Sequence, residues 1–515
     1  MYNSPPPDKL RASSLAKTHQ YSTVKVRSEF LLGSRGLSEL CALNFVNVGP
    51  KGTFKESGDL KTSPQDIDAI FSYLEQAKST KLVVHFHGGL ISEASGAATA
   101  LKMAQVYSKA GAHPVTFIWE TGLLETVSRN VLQIGETKLF QTLLKYLLRQ
   151  LAKRFGVDLG GRGAVGEVSD EDVKRQLAES DPFSDKEAVV RAKAESLNEA
   201  DLQQLRTDME LDIQNDLETD DAVGGVTAPP PDEKKLMKPA LSDNLRDEAG
   251  RGFSIAGVAI LVAKVAVQVV RRFMKGRDHG LYTTVVEEIL RALYLADFGA
   301  WTWGGMKTVA SAMWLPNTEP LGEDAYPGSY FMLKLSAYQQ ANPDVVVDLV
   351  GHSAGSIAIC NLFAALERQK VALRIRNVIF LAPACLSRLM YSEIVSKPAR
   401  FERFRVFTMT DENEQKDQLV PKFYNKSLLY FISGVLEDEP DTPIAGMQRF
   451  WTGKPPFIDP FLLDSTAWLG DPGARRSVLS IAAEGGDGFL SSALRHGDFD
   501  DDPPTLASLR AIVSA

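Results

Sequence analysis

The chain has 515 residues, 44% of them hydrophobic and 24% charged, with a formal net charge of -8. That length supports one large core with an insertion, or two to three domains, and the acidic balance excludes a general affinity for nucleic acid, which needs a basic footprint on the phosphates. Cys41, Cys360 and Cys385 are too few and too scattered for a disulfide framework or a zinc cluster, and "MYNSPPPDKLRASSLAKTHQ" lacks the apolar run of a secretory signal, so a reducing, cytoplasmic setting is expected.

In "SPQDIDAIFSYLEQA" the apolar residues Ile67, Ile70, Phe71 and Leu74 recur at helical spacing. A strand signal follows from Lys81, "KLVVHFHGGLIS", ending in a glycine pair. The helical stretch "SGAATALKMAQVYSKAG" then leads to a second strand, "HPVTFIWETG", from His113. Strands alternating with helices of this length predict βαβ units and a mainly parallel, doubly wound sheet, an α/β fold.

From about Thr121 to about Asp278 the strand signals stop and the chain reads as helical and highly charged, broken by the linker-like "VGGVTAPPPDEKK". Within it "KLFQTLLKYLLRQLAKRF" sets Leu139, Phe140, Leu143, Leu144, Leu147, Leu148 and Leu151 on one face and Lys145, Arg149 and Lys153 on the other. A helix packed on the core is expected; resting on a membrane surface is the alternative use of such a basic amphipathic helix. "FSIAGVAILVAKVAVQVV", Phe253 to Val270, approaches membrane length but holds Lys264. A lysine near a bilayer centre costs about 2.5–3.5 kcal/mol, so a buried helix is expected there too. From Asp278 the chain returns to the core, with Trp301, Trp303 and Trp314 as packing residues. Strand signals resume at "DVVVDLV", "RNVIFLAPA" and "FRVFTMT". The expected division is 1–120 and 279–515 as the two parts of one core, with 121–278 inserted between them and its Pro-rich linker near 225–235.

"DVVVDLVGHSAGSIAIC" places a Gly-x-Ser-x-Gly knot between a buried strand and a helix. A serine hydroxyl is a poor nucleophile until it is exposed beside a base and next to donors for an oxyanion. A tight strand-to-helix turn meets those needs, and it crowds the positions two before and two after the serine, so Gly351 and Gly355 flank Ser353. The pentapeptide alone is weak evidence; its place at the strand–helix junction gives it weight. "HFHGGL" follows an earlier strand, and the expected oxyanion donors are the backbone N–H of Ala354 and that of Gly89 or Leu90. Among seven histidines, His496 in "ALRHGDFDDDP" lies beyond the last strand signals, where the base belongs in the order serine, acid, histidine, and its Gly497 and Asp498 neighbours suit an exposed loop. His352, adjacent to the serine, reads as structural. "FRVFTMTDENEQKDQLVP" offers Asp411 at the strand tip and Asp417 in a turn that resembles the Asp-x-x-Val-Pro turn common around catalytic acids; Asp417 leads, and Glu414 is a third candidate. Its role would be to fix the imidazole tautomer and stabilise the imidazolium.

Carried by "HFHGGL", "GHSAG" and "RHGDFDDD" in that order, the chain resembles the α/β-hydrolase superfamily of serine hydrolases and looks like a lipase or esterase relative over roughly residues 40–120 and 280–515. The resemblance implies a parallel sheet, a Ser-His-acid triad, no cofactor, no metal, and a small-molecule or lipid ester as substrate. The chain departs from the usual pattern in its long helical segment, expected after the fourth strand in place of what is often one helix before the nucleophile strand; in such hydrolases insertions of this kind commonly form lids. Two other classes compete with this reading: a non-catalytic binding protein on the same fold, and a metal-dependent hydrolase using His85 and His87, which lacks the third ligand that catalytic zinc usually needs.

Overall fold

The structure, a computed structural model, describes residues 23–24, 40–56, 58–88, 93–119, 123–157, 175–179, 181–219, 254–294 and 299–515. A short antiparallel pair, β1 (Thr23–Val24) and β2 (Leu40–Cys41), stands apart from the main sheet. The main sheet comprises β3 (Phe45–Val48), β4 (Lys81–Phe86), β5 (His113–Trp119), β6 (Val346–His352), β7 (Ile375–Leu381), β8 (Phe401–Met409) and β9 (Ser477–Ser480). Its spatial order is β3-β5-β4-β6-β7-β8-β9, and every pairing is parallel.

The near-continuous apolar runs of the central strands fit burial on both faces. In β4, Leu82, Val84 and Phe86 belong to one apolar cluster while Val83 belongs to the other, as alternating side chains require. Helices Pro64–Ala77, Pro327–Ala341 and Gly355–Gln369 cover the first face; Glu93–Ser108 and Pro503–Ser514, through Met103, Tyr107, Leu509 and Val513, cover the second. The expected doubly wound α/β arrangement is therefore present. Two edge strands, β3 and β9, escaped the sequence reading. Both span four residues, too short for a two-residue period to stand out.

The helical segment enters after β5, the third strand of the main sheet in chain order, which corrects the expectation of a fourth. The pair β1–β2 adds strands to the chain but none to this sheet, because its ladder closes on itself. Among the described residues its helices include Leu123–Glu136, Lys138–Phe155, Glu187–Glu195, Glu199–Thr219, Ile255–Met274 and Leu281–Ile289. Thr137 caps Lys138–Phe155 through the amide of Phe140, and Gly156 ends it in the left-handed conformation. Its seven predicted face residues, Leu139 to Leu151, are all buried in the cluster that holds Phe86 and Phe117 of the sheet. The face offered as a membrane contact is thus already covered by protein. No helix among the described residues is long and apolar enough to cross a membrane, and Lys264 lies on the exposed side of Ile255–Met274. The Pro-rich linker near 225–235 lies outside the described residues.

One buried polar centre joins these helices to the C-terminal half. His279 Nδ1 is 2.8 Å from Glu287 Oε1 and Nε2 is 2.9 Å from Asp441 Oδ1, all three side chains fully buried. Arg272 Nη1 sits 2.6 Å from Glu287 Oε2, the Tyr424 hydroxyl donates to Glu287 at 2.6 Å, and Arg449 Nε donates to Asp441 at 3.1 Å. Burial pushes the Glu287 carboxyl up, but His279 and Arg272 outweigh it and hold the group at about 2.

Candidate active site

β6 ends at His352, and the next residue, Ser353, turns with φ +50° before the helix Gly355–Gln369 begins. A non-glycine residue in that left-handed region costs roughly 1–3 kcal/mol and needs its surroundings to hold it. They do: Ser353 N–H donates to Leu381 O at 2.8 Å, and Ser353 O accepts from Ala384 N at 3.0 Å and Ser356 Oγ at 2.6 Å. The flanking glycines are required sterically. A Cβ at Gly355 would come 2.2 Å from Phe86 O, and one at Gly351 would meet Gly355 C and Ile359 Cδ1 at 2.8 Å.

His496 opens a short 3-10 helix, His496–Asp500, beyond β9. Its Nε2 lies 2.9 Å from Ser353 Oγ although the two residues are 143 positions apart. The site stands at the carboxyl ends of the strands, where open parallel sheets place their ligands. Two expectations are corrected here. His496 is 6% exposed rather than on an open loop, and Ser353 is 1% exposed rather than clear of the fold. Neighbouring chain covers the serine at the turn. Burial, with the nearby His352 adding and Asp500 opposing, brings the His496 imidazole down to about 3, so the ring is a neutral base across the physiological range.

The acid side departs further from expectation. Asp417 does reach His496, but its Oδ2 accepts from the main-chain N–H at 2.9 Å, and the ring Nδ1 is buried with no hydrogen-bond partner among the described residues. Asp411 is turned away: it accepts from the Tyr430 hydroxyl at 2.7 Å and from Gln415 Nε2 at 2.8 Å. The reason is helical geometry. Asp411–Lys416 is a helix, and a residue six positions on lies roughly 240° round its axis, so Asp411 and Asp417 cannot face the same ring. Glu414, from the same helix, is fully buried; burial, reinforced by Asp417 and Asp411 and partly offset by Ser427, lifts its carboxyl to about 8.

Ala354 is buried at the start of the helix Gly355–Gln369, and its N–H donates to no described residue, as an oxyanion donor must be free to do. Gly89 and Leu90 lie outside the described residues. The segment leading to them passes over the elbow: a Cβ at Gly88 would come 3.3 Å from both Ser353 Cβ and His352 Nδ1. His85 and His87 do not converge on a common point. His85 Nδ1 meets the Tyr107 hydroxyl at 3.0 Å, while His87 accepts from Trp119 N at 3.1 Å, bonds Gly88 O at 2.7 Å and stacks on Trp119. Burial lowers these imidazoles to about 3 and about 4, leaving both neutral.

Sequence reasoning missed one member of the site and undervalued another. His352 Nε2 lies 3.1 Å from the carbonyl oxygen of His496, and its Nδ1 lies 3.4 Å from Asp500 Oδ2. The acidic run "GDFDDD" after His496 held the signal for Asp500, one helical turn from the base. Comparison of the chain with protein-family models, with curated proteins and with solved structures returned no match.

Proposed function

We propose that this chain is a serine hydrolase of α/β-hydrolase type that cleaves a carboxylic ester of a small molecule or lipid through an acyl-enzyme. The observation that carries the reading is the 2.9 Å approach of His496 Nε2 to the hydroxyl of Ser353 at a strained strand-to-helix turn. The strand order β5-β4-β6-β7-β8-β9 around the serine strand is what such a fold would need, with the three functional segments in the order serine, acid, histidine.

In this reading Ser353 Oγ attacks the carbonyl carbon as its proton passes to His496 Nε2. The oxyanion takes hydrogen bonds from Ala354 N–H and a second donor beside Gly88. The carbon–oxygen bond to the alcohol breaks, and the alcohol leaves with the proton from Nε2. Water then gives a proton to Nε2 and attacks the acyl carbon; the bond from that carbon to Ser353 Oγ breaks, Nε2 returns the proton to Oγ, and the carboxylic acid leaves. Asp417 holds His496 by its main chain, and its carboxylate is the acid proposed to partner Nδ1 when substrate is bound, since catalytic hydrogen bonds often close only in the complex.

A fluorophosphonate probe should label Ser353 covalently, and Ser353→Ala should abolish labelling. A folded wild type that resists the probe would count against catalysis and for the second reading, a ligand-binding protein on this fold, which the bare Nδ1 and the covered hydroxyl favour. Rates on p-nitrophenyl esters of increasing chain length would then divide esterase from lipase.

A further inference from the structure

The geometry points to His352 as a doubly protonated clamp that fastens the base-bearing helix His496–Asp500 to the nucleophile turn, making it a positioning residue for His496. Both ring nitrogens of His352 face groups that only accept: the His496 carbonyl at 3.1 Å and the Asp500 carboxylate at 3.4 Å. A neutral imidazole has a single N–H and can serve one of them; the imidazolium serves both. The ring is 6% exposed, so water does not readily supply the missing partner. Both contacts fall on one five-residue helix, and the clamp is peptide-bonded to Ser353. One side chain therefore ties together the two backbone segments whose side chains must stay within hydrogen-bond reach, the kind of positioning on which catalytic rate depends steeply.

The surrounding charges favour this state. Around His352 stand His496 at a ring separation of 5.5 Å, Asp500 and Asp501 from the same short helix, His85 and His87 from β4 and its end, and Lys102 of helix Glu93–Ser108, which pairs with Asp501. The three other histidines are neutral through burial. Burial pushes the Asp500 carboxyl up, but His352 foremost, with Lys102 and His85, outweighs it and holds the group at about 2, so it stays ionised. Burial works against the charge on His352, yet Asp500 more than compensates and raises its pKa above the ordinary 6.5. The sign follows: the clamp is complete below the ordinary histidine value and is lost as pH rises through the elevated one. Neither contact then keeps its proton without stripping the other.

The consequence for rate rests on the serine-hydrolase reading; the protonation state does not, so two measurements separate them. Histidine-selective nitrogen NMR near pH 7 should show a buried ring with both nitrogens protonated, assigned by its disappearance in His352→Leu. The fluorophosphonate labelling rate should fall about tenfold or more in His352→Leu, and in the wild type it should decline on the alkaline side as the ring loses its proton. Asp500→Asn guards against a leucine variant that fails to fold. Its amide can donate to Nδ1, a neutral His352 then satisfies both contacts, and the doubly protonated signal and the alkaline decline should vanish together. A neutral His352 in the wild type near pH 7 overturns the clamp, as does a folded His352→Leu labelled at the wild-type rate with an unchanged pH profile. A doubly protonated His352 in a protein that no probe labels would leave the clamp standing and sink the hydrolase reading.

Discussion

Around His279 both ring nitrogens meet carboxylates, Glu287 at 2.8 Å and Asp441 at 2.9 Å; around His496 one nitrogen meets Ser353 at 2.9 Å and the other meets no described group. The two rings are both buried, 3% and 6% exposed by residue. Both nitrogens of His279 are engaged by carboxylates, and the ring is locked into a network with Arg272, Arg449 and Tyr424. His496 is held instead by its backbone, through Asp417 on its N–H and His352 on its carbonyl, while the ring keeps a lone pair for a proton. Burial depth alone therefore does not separate a structural histidine from a reactive one. The partner count does: a saturated ring fastens the fold, and a half-engaged ring is available to react.

The sharpest way to break this contrast is to remove each ring. His496→Ala should cut probe labelling and ester turnover by roughly a thousandfold or more with little change in the unfolding midpoint. His279→Ala should leave Glu287 and Asp441 buried with one partner fewer each, costing roughly 3–5 kcal/mol in denaturant titration, while the folded fraction labels at the wild-type rate. If the two variants exchanged these phenotypes, the distinction would fail.

A smaller effect divides the two aspartates. Asp417→Asn should lower the labelling rate by roughly ten- to a hundredfold, because it removes the carboxylate that accepts from the His496 main-chain N–H, whereas Asp411→Asn should stay within about threefold. Equal losses in both would mean that the helix Asp411–Lys416 matters only as a unit. The smallest effect concerns Glu414. Its folded pKa of about 8 exceeds the ordinary 4.5, so the penalty for ionising it in the fold is absent below the ordinary value and grows as pH climbs from there toward about 8. Glu414→Gln should raise the melting temperature by a few degrees at pH 9 and leave it unchanged at pH 4. A shift of the same size at both pH values would mean that charge is not the cause.

The parts of the site legible in the sequence are those with a local cause. The elbow was readable because a sterically crowded turn demands Gly351 and Gly355 within four residues of chain, and the central strands because burial on both faces writes a continuous apolar run. His496 followed from chain order. The orientation of Asp417 toward a main-chain amide did not, since it depends on how a six-residue helix is rotated against a distant loop. His352 was set aside because adjacency to the serine said nothing about Asp500, whose approach is a product of tertiary packing. The edge strands β3 and β9 were invisible for want of length.

The helical segment after β5 has a consequence for traffic to the serine. Its residues Leu143, Leu147, Val262 and Val285 share one continuous oily interior with Val84, Phe117 and Leu349 of the sheet, and Tyr282, Thr283 and Asp278 bond to Lys422, Asn425 and Arg449 across the junction. A door that swings must part from its frame along a surface that wets easily; this one would have to tear open a dry seam and strand several donors and acceptors in the process. The described helices of this segment therefore form a fixed layer rather than a swinging lid, and under the proposed hydrolase reading an acyl group would have to reach Ser353 without that layer parting from the sheet.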